Sequence, residues 1–269
     1  MSFKIGFKTD DETNGKRLET IPKEPNVEAK KSVVDVYFPD RHITCAYYND
    51  KFDLKVGDLV FVDGKLEGVR GKVVGLNYSF KIKLSDYHRV ISVANTDVKG
   101  EFFMAGSHFA TTDCNALPYE QIIGWFKAPS EDEEFVISND DEAFNIDDLS
   151  GMNIDKATAD KGNDYYMENR VVYIEIKDGK ARAIVSGTEY YEVEFDFENG
   201  DVRNLVCDCY CTGTCKHEFA TILQLRETLD IIAKEYGDGY YFDYLAAVTK
   251  PLFFNHIINN KTNGSIVVN

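Results

Sequence analysis

Apolar and polar residues alternate from Val33 onward: Val34, Val36 and Phe38 take every second position, Pro39-Asp40 interrupts them, and alternation resumes over Ile43 to Tyr48. Side chains two apart share a face of an extended chain, so this reads as strand, turn, strand. Between Leu54 and Gly75, short β-branched runs are punctuated by Gly57, Gly64, Gly68, Gly71 and Gly75. Glycines of this kind supply tight corners between short strands. Phe102, Phe103 and Met104 predict another strand, and Pro118 followed by Tyr119 to Phe126 predicts a short helix. Together they form a bridging α/β segment over 99–130.

A second alternating series runs through Val171–Ile176, Ala181–Val185, Tyr190–Phe197 and Val202–Val206, with Asp178-Gly179 and Asn199-Gly200 at two of its turns. Both dipeptides favour two-residue hairpin loops, so the series predicts a β-meander. The period changes after His217. Phe219, Ile222, Leu223, Leu229 and Ile232 mark one side of a helix reaching about Lys234. The meander and helix define a domain over 165–236, and the fold class expected for the chain is α+β.

Three stretches lie outside these blocks. Residues 1–31 are polar and carry Pro22 and Pro25, which predicts a flexible arm. From Glu131 to Asp148 there are nine acidic residues and no Lys or Arg; like charges repel, so 131–164 reads as an exposed acidic linker. Residues 237–269 read as a helical extension, with helix expected over Tyr240 to Val248. Gly264 to Asn269 reads as the opening strand of a further domain with no partner left for it.

The chain has 269 residues, 43% of them hydrophobic, enough for more than one core. Its net charge of −16 argues against charge-driven binding to nucleic acid or anionic membrane. No window of about 18 apolar residues occurs, and the first residues lack a signal-peptide core, so the expectation is a cytoplasmic protein. Four of the six cysteines cluster, which fits metal binding in a reducing compartment and leaves Cys45 and Cys114 as expected buried thiols.

The cluster is Cys207-Asp208-Cys209-Tyr210-Cys211-Thr212-Gly213-Thr214-Cys215-Lys216-His217. Cys207 and Cys209 are placed on one side of an extended segment, while Cys215 and His217 stand at the mouth of the helix. Three thiolates and an imidazole are the donors of a closed, structural Zn2+ site with no open position for a water nucleophile. A Cys-x-Cys pair forms a disulfide poorly, because its thiols cannot readily reach the required dihedral. The expected ligands are Cys207, Cys209, Cys215 and His217, with Cys211 as a neighbouring or spare thiol.

Cys207-x-Cys209, then five residues, then Cys215-Lys216-His217, preceded by Ala183-x-Val185-x-Gly187-x-x-Tyr190 and an Asn-Gly hairpin, resembles the SWIM zinc finger over about 170–235. The resemblance implies a ββα zinc module that mediates nucleic-acid or protein contacts, of the kind found in bacterial proteins beside Snf-type helicases. Cys207, Cys209, Cys215 and His217 match its ligand positions one by one. More weakly, Leu54 to Gly75 resembles the Gly-Asp-x-Val pattern of KOW and other SH3-like barrels, some of which bind RNA or protein, and the resemblance implies a small β-barrel over 32–98. Arg70, Lys72, Lys81, Lys83 and Arg89, interleaved with Tyr78 and Phe80, allow a basic aromatic face there. Alternating strand charges favour instead a solvated face with Tyr78 and Phe80 in the core.

Motifs of catalysis are missing from the sequence. His217-Glu218 begins like His-Glu-x-x-His, but Thr221 stands where the second His belongs; there is no Gly-x4-Gly-Lys-Ser/Thr loop and no Gly-x-Ser-x-Gly elbow. A neighbouring His108 and Cys114 lack an orienting third group, and a packed pair is expected. The function expected is a non-catalytic interaction module, accessory to a DNA-dependent machine, with a protein or nucleic-acid partner and a Snf-type ATPase in the same or an adjacent chain. Residues 160–235 hold nine Lys and Arg against sixteen Asp and Glu, which favours protein contact. The alternatives are a redox- or zinc-responsive sensor using Cys211 and the N-terminal fragment of a Snf-type helicase.

Overall fold

The computed structural model describes residues 3–7, 30–128, 143–237, 243–258 and 264–268. Its principal elements are β1 (Phe3–Phe7), β2 (Ser32–Phe38), β3 (Ile43–Asn49), β4 (Leu59–Val62), β5 (Gly71–Asn77), β6 (Val90–Ala94), β7 (Gly100–Ala105), β8 (His108–Thr111) and α1 (Tyr119–Ile122). They continue with β9 (Phe144–Asn145), α2 (Lys156–Met167), β10 (Val171–Lys177), β11 (Lys180–Ser186), β12 (Tyr190–Glu198), β13 (Asp201–Cys207), α3 (Lys216–Tyr236), β14 (Tyr244–Thr249) and β15 (Gly264–Val268). The class is mixed α+β, mostly sheet with few helices. Two compact units emerge, one from the described residues of 7–96 and 124–130, the other from those of 1–6, 97–123 and 131–269.

The smaller unit is a five-stranded antiparallel sheet in the order β3-β2-β5-β4-β6. Its core is the alternating set expected from sequence, with Val34, Val36 and Phe38 of β2 fully buried against Val60, Val62 and Val73. Gly71 lets β5 approach β2, since a Cβ there would lie 2.3 Å from Val36. Among the described residues no ladder joins β3 to β6; a single bridge between Tyr48 and Arg89 links the two edges. Trp125, expected in a core, is fully buried here and donates from Nε1 to the Asn95 carbonyl at 2.6 Å.

In the larger unit ten strands run in the order β1-β15-β7-β8-β14-β10-β11-β12-β13-β9. The two predicted hairpins form: Lys177 pairs with Lys180 and Glu198 with Asp201, each across two residues. Asp178, Gly179, Asn199 and Gly200 all have positive φ, the conformation such turns require. Helix α3 lays Ile222, Leu225, Leu229 and Ile232 over Ala181, Ala183, Val193 and Phe195 of β11 and β12.

Several expectations are corrected. The helix expected over 240–248 is, from Tyr244, the strand β14, inserted between β8 and β10 with all six residues buried. An apolar run covered on both faces does not alternate, so its period cannot separate strand from helix. The terminal strand β15 has a partner, running parallel to β7 with Ile266 opposite Gly100. Phe3–Phe7, assigned to the flexible arm, is a strand beside β15, while the rest of the arm through 29 lies outside the described residues. Strands β7 and β8, read as part of a bridge, belong to the large sheet. Of the acidic linker, 131–142 lies outside the described residues, whereas Lys156–Met167 is helical, capped by Asp155 accepting from the Ala157 and Thr158 amides. Cys45 is half-buried and Cys114 exposed, so neither is the buried thiol expected.

Candidate metal centre

Strand β13 carries Cys207 at its last position, paired with Val193 of β12. Parity alone would turn Cys207 away from the core: Val202 faces inward, and Cys207 lies five positions further on, an odd step. A bulge restores it. Between the Glu194–Val206 and Asp196–Arg203 pairs, β13 spends one more residue than β12, and Asn204 there has φ 52° and bonds Asp196 Oδ2 at 2.6 Å. The extra residue shifts every later side chain of β13 to the other face. Cys207 therefore joins Val193, Phe195 and Val202 under α3.

Cys215 and His217 come from the start of α3. Cys215 is the helix N-cap, with φ −107° and ψ 170°. Its Sγ accepts from the Glu218 amide at 3.5 Å, and its own amide donates to Glu218 Oε2 at 2.7 Å. This is a capping box with Cys in the place usually held by Ser or Thr. His217 sits in the first turn, and Cys209 in the bend between β13 and α3.

The four predicted side chains converge. The donor atoms of Cys207, Cys209, Cys215 and His217 all lie within 4.8 Å of one another and could hold a metal ion. His217 Nδ1 is 3.6 Å from Cys207 Sγ and 3.7 Å from Cys215 Sγ. A tetrahedron with metal–sulfur bonds of about 2.3 Å and a metal–nitrogen bond of about 2.1 Å has edges of roughly 3.6–3.8 Å, so these separations fit. Cys207, Cys215 and His217 are buried and Cys209 half-buried; Cys211 is exposed.

Ionisation of the cluster is uneven. A hydrogen bond from the Cys207 thiol, with support from His217 and the Glu218 amide, holds the Cys215 thiol well below its usual range. The same bond and burial push Cys207 up, and burial pushes Cys209 up. Two further thiolates are thus opposed unless a cation enters among them, which a divalent metal does. His217 Nε2 is a buried polar atom without a hydrogen-bond partner. Packing fixes the ring instead: Tyr191 stacks on it at 4.1 Å between centroids, and Tyr165 meets it edge-on at 5.4 Å.

Sequence reasoning missed these supports. Tyr165 lies on α2, whose first part falls in the stretch read as linker, with Lys216 Nζ 4.7 Å and the Arg170 guanidinium 4.8 Å from its ring centre. Gly162 lets α2 touch α3, since a Cβ there would stand 2.8 Å from Phe219 and 2.9 Å from the Lys216 carbonyl. The Cys-x-x-Glu spacing was a readable signal for Glu218; nothing local announced Tyr191.

Other candidate groups are placed apart from this cluster. His108 is fully buried, 2.9 Å from Ser107 Oγ and 2.8 Å from the Val171 carbonyl, whereas Cys114 is exposed. Of the basic residues nominated near Tyr78 and Phe80, Arg70 donates to the Trp125 carbonyl at 2.5 Å and Arg89 to Asp50 at 2.6 Å. Tyr78 is 45% exposed and Phe80 half-buried, so neither is a core residue. Among the described residues no helix is long and apolar enough to cross a membrane.

Compared with family models, curated proteins and solved structures, the chain has no significant match.

Proposed function

We propose that this chain is a zinc protein of the SWIM-finger type, acting as a non-catalytic interaction module in the cytoplasm. The observation that carries the reading is the convergence of Cys207, Cys209, Cys215 and His217 at tetrahedral spacing. Soft thiolates with one imidazole favour Zn2+ over oxygen-seeking cations, and four protein donors leave no position for a reacting water. Meander, bulge and capped helix deliver the ligands in the order of the finger. On the same reading the five-stranded unit is an SH3-like barrel of KOW type. The partner is a protein or nucleic acid of a DNA-dependent machine, with a Snf-type ATPase in the same or an adjacent chain. Protein contact is favoured by the acidic surface.

The test is metal analysis of the purified chain, followed by binding assays. One zinc per chain, lost in Cys215→Ser, is the expected result. A chain that folds fully without metal, and takes none up when zinc is supplied, overturns the reading.

A second reading rests on Cys211, which is exposed and hydrogen-bonds to the half-buried Cys209. Oxidation of the Cys211 thiol by a peroxide would give a sulfenic acid and water, and condensation of that acid with a ligand thiolate other than its Cys-x-Cys neighbour would form a disulfide, release a second water and free the metal. Zinc release by mild peroxide that Cys211→Ser prevents would favour this sensor over a purely structural site.

A further inference from the structure

At the end of the large sheet where both hairpins turn, a groove of about 640 Å³ opens between the second half of α3 and the strand ends. Its floor is apolar. Leu229 and Ile232 come from α3, Leu245 from β14, and the half-buried Ile176 and Phe197 from β10 and β12. All five belong to the main core of the larger unit or pack against it, so the groove is a gap in the cover of that core.

The rim is acidic. Asp243 precedes β14, Asp178 turns between β10 and β11, Glu198 ends β12 and Asp201 begins β13. Strands β14, β10, β11, β12 and β13 are consecutive neighbours, so at ~4.8 Å per strand the row of carboxylates extends over roughly 19 Å. The Asp178 amide donates to the Asp243 carbonyl at 3.0 Å, which keeps those two side by side. A further carboxylate, Asp196, is taken up by Lys180 and Asn204. Arg203 is the one cation among the described lining residues. None of the four carboxylates in the row has a Lys, Arg or His within ion-pairing distance among the described residues; Asp201 accepts from the neutral Asn145 amide at 3.0 Å.

We infer that this groove binds a linear aliphatic polyamine. Carboxylates spread along the strand ends, rather than gathered at a point, call for separate cations in a line. The Cys and His cluster is the one group of three or more donors among the described residues that gathers closely enough for a metal ion, so the rim is a row and not a chelate. In a polyamine three or four methylenes separate successive ammonium groups, a span close to one strand spacing. The methylenes cover the apolar floor while the ammonium groups meet the rim. Nucleotides and acidic chains are repelled by the same row. Ile232 stands about 22 Å along α3 from His217, at 1.5 Å per residue. The groove therefore shares no group with the metal centre and stands whether or not the finger reading holds.

The experiment is isothermal titration of the full chain with spermine, a tetramine, at ~0.1 M salt, where attraction to the diffuse net charge of −16 is screened beyond about 10 Å. A single saturable site is expected. Asp178→Asn with Asp243→Asn, and Glu198→Gln with Asp201→Asn, should each weaken it ~5-fold or more, the worth of two ion pairs at a surface. Asparagine suits the positive φ of 51° at position 178, so the turn is kept. Asp160→Asn with Glu189→Gln removes as much charge from exposed positions outside the groove and should cost under ~2-fold. Putrescine, a diamine that reaches fewer carboxylates, should bind at least ~10-fold more weakly than spermine. Hexaamminecobalt(III), a compact trication without methylenes, should bind at least ~5-fold more weakly, having nothing to lay on the floor. Folding of each variant is checked by its thermal transition. The proposal is overturned if spermine shows no saturable binding, if hexaamminecobalt(III) or the basic peptide tetralysine binds as tightly, or if the rim pairs and the control pair weaken binding alike.

Discussion

Tyr191 stacks face to face on His217, with ring centroids 4.1 Å apart and planes 17° from parallel. The contact spans the sheet and the helix, because Tyr191 belongs to β12 and His217 to the first turn of α3. With His217 Nε2 lacking a hydrogen-bond partner, the stack takes over the orienting role that a second hydrogen bond usually performs at a metal-bound imidazole. Tyr191→Leu should therefore weaken zinc binding by about fivefold, in line with ~1 kcal/mol for an aromatic pair. Tyr191→Phe keeps the ring and loses only the hydroxyl contact to Thr188 Oγ1 at 2.8 Å; it should stay close to wild type. Competition against a chromophoric chelator measures both, and equal loss in the two variants would assign the effect to the hydroxyl.

Cys215 performs two tasks that substitution separates. Its sulfur is a candidate ligand and also accepts from the Glu218 amide. Serine retains an N-cap acceptor and loses the thiolate, whereas alanine loses both. Both variants should bind no zinc at micromolar levels. Without metal, Cys215→Ala should be less stable than Cys215→Ser by about 1 kcal/mol, the usual worth of an N-cap. Denaturant unfolding of the two apo-variants gives the difference directly, and identical midpoints would show that the cap contributes nothing.

Much of this architecture was legible. Alternation fixed β2, β3 and the four meander strands to within a residue or two, and the two turn dipeptides announced their hairpins. The four donors were readable because metal chemistry tolerates few residue types at few spacings. What escaped was non-local. Tyr244 to Thr249 is buried throughout, between sheet partners on both sides, so its residues do not alternate and the period that names a strand is erased. Helix α2 was hidden in a charged stretch because its partner face is made by Gly162, which carries no hydrophobic signal of its own. Tyr78 and Phe80 looked like core by residue type, and only the irregular path of 78–88 leaves them at the surface.

The bulge in β13 offers a sharper test of how the ligands are aimed. Deleting Asn204 removes the one extra residue and restores strict alternation, turning Cys207 to the opposite face. Zinc content should fall to zero although every donor is still present in the sequence. Asn204→Gly keeps the residue count and suits the positive φ of 52° at that position, so it should bind one zinc. A deletion variant that retains its metal would mean that the loop after Cys207 can re-aim the thiol without the bulge.

The pH dependence of stability should carry a component from His108, outside the metal cluster. Burial, opposed in part by the hydrogen bond to the Val171 carbonyl, lowers its pKa to about 4. The folded chain therefore keeps the ring neutral until pH approaches 4, while the unfolded chain takes up a proton near 6.5. Between those values the unfolded state binds more protons, so stability is full above about pH 7 and falls as pH drops through 6.5 toward 4. The loss at the acid end is on the order of 3 kcal/mol, from about 1.4 kcal/mol per pKa unit. In His108→Gln the amide can still donate to Val171, and nothing titrates there. Denaturant midpoints of wild type and His108→Gln, taken in parallel between pH 8 and 5, share every other titrating group. Their difference should grow in favour of the variant as pH falls, and parallel curves would show that His108 is not held neutral by the fold.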